Sequence, residues 1–80
     1  MNRILCELLR VNKHNRKTDN SEYYSVTVLI ENRVSVMFFK DAALFNELSK
    51  FDRLADICLI GDIKVKDDTS FLFVPQSVEI

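Results

Sequence analysis

Tyr23-Tyr24-Ser25-Val26-Thr27-Val28-Leu29-Ile30, the polar break Glu31-Asn32-Arg33, and Val34-Ser35-Val36-Met37-Phe38-Phe39 carry the reading that decides the fold. Aromatic and β-branched residues recur here with a period of two, the pattern of half-buried strands. Tyr24, Val26, Val28 and Ile30 share one face, with Tyr23, Ser25, Thr27 and Leu29 on the other. A short polar break between two such runs predicts an antiparallel hairpin. Taken as a three-residue turn, the break leaves Val34, Val36 and Phe38 in the apolar phase and Ser35, Met37 and Phe39 opposite. Tyr24 and Phe38 are then core residues, and Tyr23 and Phe39 face outward.

Toward the C-terminus the period changes. Leu44, Phe45, Leu48 and Phe51 follow the spacing of an amphipathic helix, and Asp41 is placed to cap it, which predicts a helix over Ala42–Lys50. From Asp56 to Lys66 the pattern is extended again, with Ile57, Leu59, Ile63 and Val65 in phase and Gly61 at an intervening position. A glycine there implies a bulge or a sharp bend, or the close approach of another backbone. Asp67, Asp68, Thr69 and Ser70 have turn chemistry. Phe71–Ile80 is read as a last strand with Pro75 at an edge or irregular point, and Phe71, like Phe45 and Phe51, falls in the apolar phase.

Toward the N-terminus, Arg3–Val11 is almost wholly apolar and suits a buried strand, with helix as the competing reading. Asn12–Ser21 is polar throughout and reads as a long solvated loop outside any core. The order is strand, loop, strand, strand, helix, strand, strand. Five strands with one helix between the third and fourth give an all-β fold with one short helix, in the chain order of an OB-like Greek-key barrel. Other small barrels, or an α+β sheet with a covering helix, share that order.

At 80 residues the chain makes one domain, residues 1–80, with a small core that a partner subunit would enlarge. A single glycine excludes the Gly-rich dinucleotide and phosphate-loop motifs. One histidine, two cysteines and no CxxC or HExxH spacing argue against a metal site. No cofactor, small-molecule substrate or catalytic constellation is expected, because no nucleophile has an oriented base. The longest uncharged stretch is far short of a membrane span, and Glu7 and Arg10 interrupt the N-terminal apolar run, so neither a membrane association nor a secretory leader is expected. Cys6 and Cys58 sit among apolar neighbours and read as free buried thiols of a cytoplasmic protein.

The stretch Asp56-Ile57-Cys58-Leu59-Ile60-Gly61-Asp62-Ile63-Lys64-Val65, with Phe73-Val74-Pro75-Gln76-Ser77-Val78-Glu79-Ile80 after the acidic turn, resembles the last hairpin of small OB-fold single-stranded-DNA-binding proteins of bacteria, phages and mobile elements. The rest of the chain resembles them only in the order of its elements. The sequence departs from the larger bacterial members in lacking tryptophan, a glycine in the second hairpin and an acidic tail. The resemblance implies binding of single-stranded DNA, or less readily RNA, without strong sequence preference.

Charge and aromatics sharpen that expectation. The net charge is −1, but residues 1–20 hold five cations and two carboxylates, whereas residues 21–80 hold six and ten. Arg10, Lys13, Arg16 and Lys17 are candidates to grip phosphates, with Lys64 and Lys66 extending the track. Tyr23 and Phe39 are the candidates for base stacking. A solvated loop and an ordinary aromatic core would explain the same residues. The alternative function is a protein-interaction or assembly module on the same barrel, which the overall acidity favours. A homodimer is plausible for so small a core with exposed strand edges.

Overall fold

Fourteen consecutive extended residues form β1 (Asn2–Asn15), and at about 3.3 Å per residue a straight strand of that length would run about 46 Å. The domain's longest dimension is 35 Å, so β1 must coil. It does so at an irregularity between Leu8 and Arg10, where the extra residue of a bulge bends a strand and increases its twist. Residues 2–7 pair with β4 (Asp56–Val65) and residues 7–15 with β2 (Glu22–Ile30). At the bend the Leu8 amide donates to the Ala55 carbonyl at 3.0 Å, and the Leu54 amide donates to the Leu8 carbonyl at 2.6 Å. The freed backbone groups are therefore satisfied by the segment that leads into β4.

The computed structural model describes residues 2–65, 67 and 71–80, except for the side chain of Phe71. β3 (Arg33–Phe39), α1 (Ala42–Leu48) and β5 (Phe71–Glu79) complete the elements. All pairings are antiparallel, in the order β3-β2-β1-β4-β5. β3 also lies against β5, which curls the sheet into a partly open five-stranded barrel with its one helix between β3 and β4. This is the expected fold class.

Two expectations about the strands are corrected. The polar segment after Val11 is not all loop: β1 continues to Asn15, and the connection is a compact turn over residues 16–21. The Arg16 amide bonds the Ser21 carbonyl at 2.8 Å, the Asn20 amide bonds the Arg16 carbonyl at 3.0 Å, and Asn20 has φ 59°. Polar residues can extend a strand whose outer face is solvated, because the ladder to β2 supplies the backbone partners. The second correction concerns β3. Glu31 and Asn32, with φ of 50° and 66°, form a two-residue turn whose positive φ values match the twist of the strands. Ile30 therefore pairs with Arg33, Val26 with Met37 and Tyr24 with Phe39. A turn one residue shorter than expected reverses every side chain of β3. Met37 and Phe39 are buried, while Val34, Val36 and Phe38 are exposed.

The core lies between the inner faces of the barrel and α1. Val26, Val28, Leu59, Leu44 and Leu48 are fully or nearly fully buried, and Phe45, Phe51 and Phe73 pack against them. Asp41 caps α1 as expected, its Oδ1 accepting from the Ala43 amide at 2.9 Å and the Leu44 amide at 3.4 Å. The helix ends at Leu48 rather than Lys50, capped by Ser49, whose hydroxyl donates to the Phe45 carbonyl at 2.8 Å. The expected turn over Asp67–Ser70 falls on residues of which only Asp67 is described.

Gly61 sits at the shift in register between β4 and β5. Its φ is not positive, so close approach is what requires it. A Cβ here would collide with the Val74 carbonyl oxygen and stand 2.9 Å from Pro75 Cα, and both are backbone atoms that cannot rotate aside. We expect Gly61→Ala to destabilise the domain by about 1–3 kcal/mol or more, read as a lower urea midpoint. An unchanged midpoint would contradict the packing described.

Cys6 and Cys58 are both buried and free. Burial, followed by the proximity of Cys58, pushes the Cys6 thiol from its ordinary 9.0 up to about 11. The folded state then keeps a proton that the unfolded chain releases, so stability contributed by the neutral thiol is intact below pH 9.0 and falls as pH rises toward about 11. Urea midpoints measured across that window should decline, with Cys6→Ala lacking its share of the slope. A variant with the same slope as the parent would remove Cys6 as the cause.

Candidate nucleic-acid interface

The corrected register brings together side chains that lie far apart in sequence. His14 on β1 is opposite Tyr23 on β2, and Ser25 on β2 is opposite Phe38 on β3. Directly opposite residues share a face, as do residues two apart on one strand. His14, Tyr23, Ser25 and Phe38 thus form one outward cluster across three strands. The His14 and Tyr23 rings stack at 4.9 Å between centroids, and Phe38 is 6.1 Å from Tyr23 and 6.3 Å from His14. Beneath them His14 Nε2 and the buried Ser25 hydroxyl share a hydrogen bond at 2.8 Å, which fixes the imidazole plane. Phe38 is 46% exposed, unusual for an aromatic ring in so small a domain and suited to stacking on a planar ligand.

Cations surround this platform. The Arg16 guanidinium carbon lies 5.8 Å from the Tyr23 ring centre, within cation–π range. Arg16, Lys40 and Lys64 line one groove of about 350 Å³ together with Tyr23, Phe38, Phe39, Leu72 and Val74. The turn after β1, the end of β3 and the β4–β5 hairpin form its walls. None of the three cations is in an ion pair among the described residues. Asp19 is in the same turn as Arg16, but its carboxylate is occupied by Ser21, whose hydroxyl and amide donate to Oδ1 at 2.7 and 3.0 Å. Those bonds, with a smaller contribution from Arg16, hold the Asp19 carboxyl below its usual range. The turn is thereby braced and Arg16 is held at the groove.

The other residues expected at the site are distributed differently. Tyr23 and Lys64 line the groove with Arg16. Lys17 is exposed in the turn without lining it. Lys13 is opposite Tyr24 on the inner-facing side of β1 and pairs with Glu22 at 3.1 Å, so it is directed away from the platform. Arg10 lines a separate depression with Leu48, Phe51 and Arg53. Phe39 is corrected from outward to core: only 4% exposed, it packs 5.6 Å from Tyr24, and its share of the groove is at the floor. Lys66 lies outside the described residues. Phe38, His14 and Lys40 were not expected. A two-residue reading of Glu31-Asn32 would have found Phe38, and a strand running to Asn15 would have found His14. Among the described residues no three His, Cys, Asp or Glu side chains gather as a metal site.

No protein-family model matches the chain, and no curated protein matches it. Among solved structures, the mitochondrial single-stranded DNA binding protein Rim1 of S. cerevisiae is similar over 99% of this chain and 91% of its own, with a TM-score of 0.65 and 12% identity. That likeness shows the fold: the chain is a five-stranded OB-fold. The neighbour is mitochondrial, whereas the sequence resemblance was to bacterial, phage and mobile-element proteins.

The two adjacent phenylalanines separate site from core. Phe39→Ala should cost about 3–5 kcal/mol of unfolding free energy, enough to leave a domain of this size largely unfolded. Phe38→Ala should cost about 1 kcal/mol or less. Urea denaturation of both variants decides the matter, and equal losses would contradict the register.

Proposed function

We propose that the protein binds single-stranded DNA in the groove of Arg16, Lys40 and Lys64, without strong sequence preference. The observation that carries this reading is the convergence of three cations, none in an ion pair among the described residues, on one exposed aromatic platform. A phosphate backbone needs a line of cations, and unstacked bases need flat apolar faces beside it. A platform of His14, Tyr23 and Phe38 presents such faces to any base, because every base has a π-surface, and this accounts for the absence of sequence preference. Phe38, the most exposed of the three rings, takes the main stacking role, while Arg16 exchanges its contact with Tyr23 for a phosphate. Lys17 adds charge at the rim. The fold shared with a solved mitochondrial single-stranded DNA binding protein supports the same reading, since such barrels hold oligonucleotides on strands 2 and 3 and between the loops after strands 1 and 4.

Titration of a labelled oligo-dT at several salt concentrations tests the proposal. Neutralising three phosphates gives a log–log slope of about −2 for a single strand. Phe38→Ala should weaken binding by about 1–3 kcal/mol, Arg16→Glu should weaken it and flatten the salt slope, and Lys13→Gln should leave it unchanged. Absent or salt-insensitive binding by the parent protein would refute the function. Equal effects of Lys13→Gln and Arg16→Glu would refute the groove.

A further inference from the structure

A second groove lies at the other end of β2. Leu5, Cys6, Glu7, Leu29, Glu31, Asp56, Ile57 and Ile80 line it. Leu29 lies six positions beyond Tyr23, about 20 Å along a strand, so the two grooves are distinct. The geometry follows from the point where β1 changes partner, because Glu7 is opposite both Leu29 on β2 and Asp56 on β4. Leu5 is 79% exposed and Ile80 98% exposed. Val34, opposite Leu29 on β3, is also exposed and extends the apolar surface. Glu7, Glu31 and Asp56 are exposed at the margin, and none of them forms an ion pair among the described residues.

Apolar side chains of this size, exposed together and edged by polar groups, mark an interaction surface. The carboxylates at its margin decide what it accepts. A nucleic acid would meet three like charges. A second copy docked face to face would bring the same carboxylates against their own images, since an isologous contact places each patch on itself. We propose that this groove docks a segment of a partner protein that presents apolar side chains flanked by lysines or arginines. Apolar contact with Leu5, Leu29 and Ile80 provides the affinity, and complementary charge with Glu7, Glu31 and Asp56 provides the selection. The segment can sit there while the other groove is occupied, so the domain joins a cationic partner to whatever the first groove holds. The docking site does not depend on the DNA-binding reading.

The test uses the full chain and three short fluorescent peptides, of alternating Lys and Leu, Glu and Leu, and Lys and Ser. The Lys–Leu peptide should bind, with amide resonance shifts concentrated at Leu5, Glu7, Leu29, Glu31, Asp56 and Ile57. The other two should bind at least about tenfold more weakly, and the Glu7→Lys, Asp56→Lys double variant should lose about tenfold for the Lys–Leu peptide. Both substituted positions are exposed, and circular dichroism checks that the variant is folded. Equal binding of the Lys–Ser peptide, shifts centred on another surface, or an unaffected double variant would overturn the proposal. Concentration-dependent shifts of the same resonances without peptide would overturn it in favour of self-association. An oligo-dT titration of the double variant separates the two grooves: affinity should not fall, whatever the peptides do.

Discussion

The two-residue turn at Glu31-Asn32 is the constraint on which the interface depends. Positive φ at both positions closes the β2–β3 hairpin with Ile30 opposite Arg33, and all later pairings follow from that first one. Since strand side chains alternate, the same turn decides that Phe39 joins Tyr24 in the core and that Phe38 joins Tyr23 and His14 outside. Burial and exposure are thus set together: the domain could not present Phe38 without also packing Phe39. Neither residue favours positive φ as glycine does, and the cross-strand packing of Val26, Val28 and Met37 holds the turn in place.

The length of β1 is the second determinant. A strand longer than the barrel must bend, and by bending at Leu8–Arg10 it gives one half to β4 and the other to β2. The bend creates both surfaces. Its distal half carries His14 to the aromatic platform and leads into the turn that holds Arg16, and its midpoint places Glu7 among apolar neighbours at the acidic groove. An acidic protein can therefore offer a cationic site, because the cations Arg16, Lys40 and Lys64 line one groove and the carboxylates Glu7, Glu31 and Asp56 another. Electrostatic steering responds to this local arrangement more than to net charge.

Much of the fold was legible because its signals are local. Period-two alternation marked β2 and β3, helical spacing with Asp41 marked α1, and the lone Gly61 marked the bulge of β4. The fold class followed from the order of elements. Of the candidate residues read from the sequence, Arg16, Tyr23 and Lys64 line one groove. What was hidden depends on pairing across strands. Whether Arg33 belongs to the turn or the strand is a difference of one residue, invisible in the apolar pattern since Val36-Met37-Phe38-Phe39 is apolar in both phases. The end of β1 was hidden for a related reason. Asn12, Lys13, His14 and Asn15 offer nothing to a core, and only the facing strand reveals that their backbone is in a ladder.

The most direct measurement is the set of nuclear Overhauser contacts made by the two adjacent phenylalanine rings in the free protein. The account predicts contacts from Phe38 to His14 and Tyr23, and from Phe39 to Tyr24. Contacts from Phe39 to His14, with Phe38 against Tyr24, would mean that the hairpin closes one residue later, and would contradict both the register and the platform built on it.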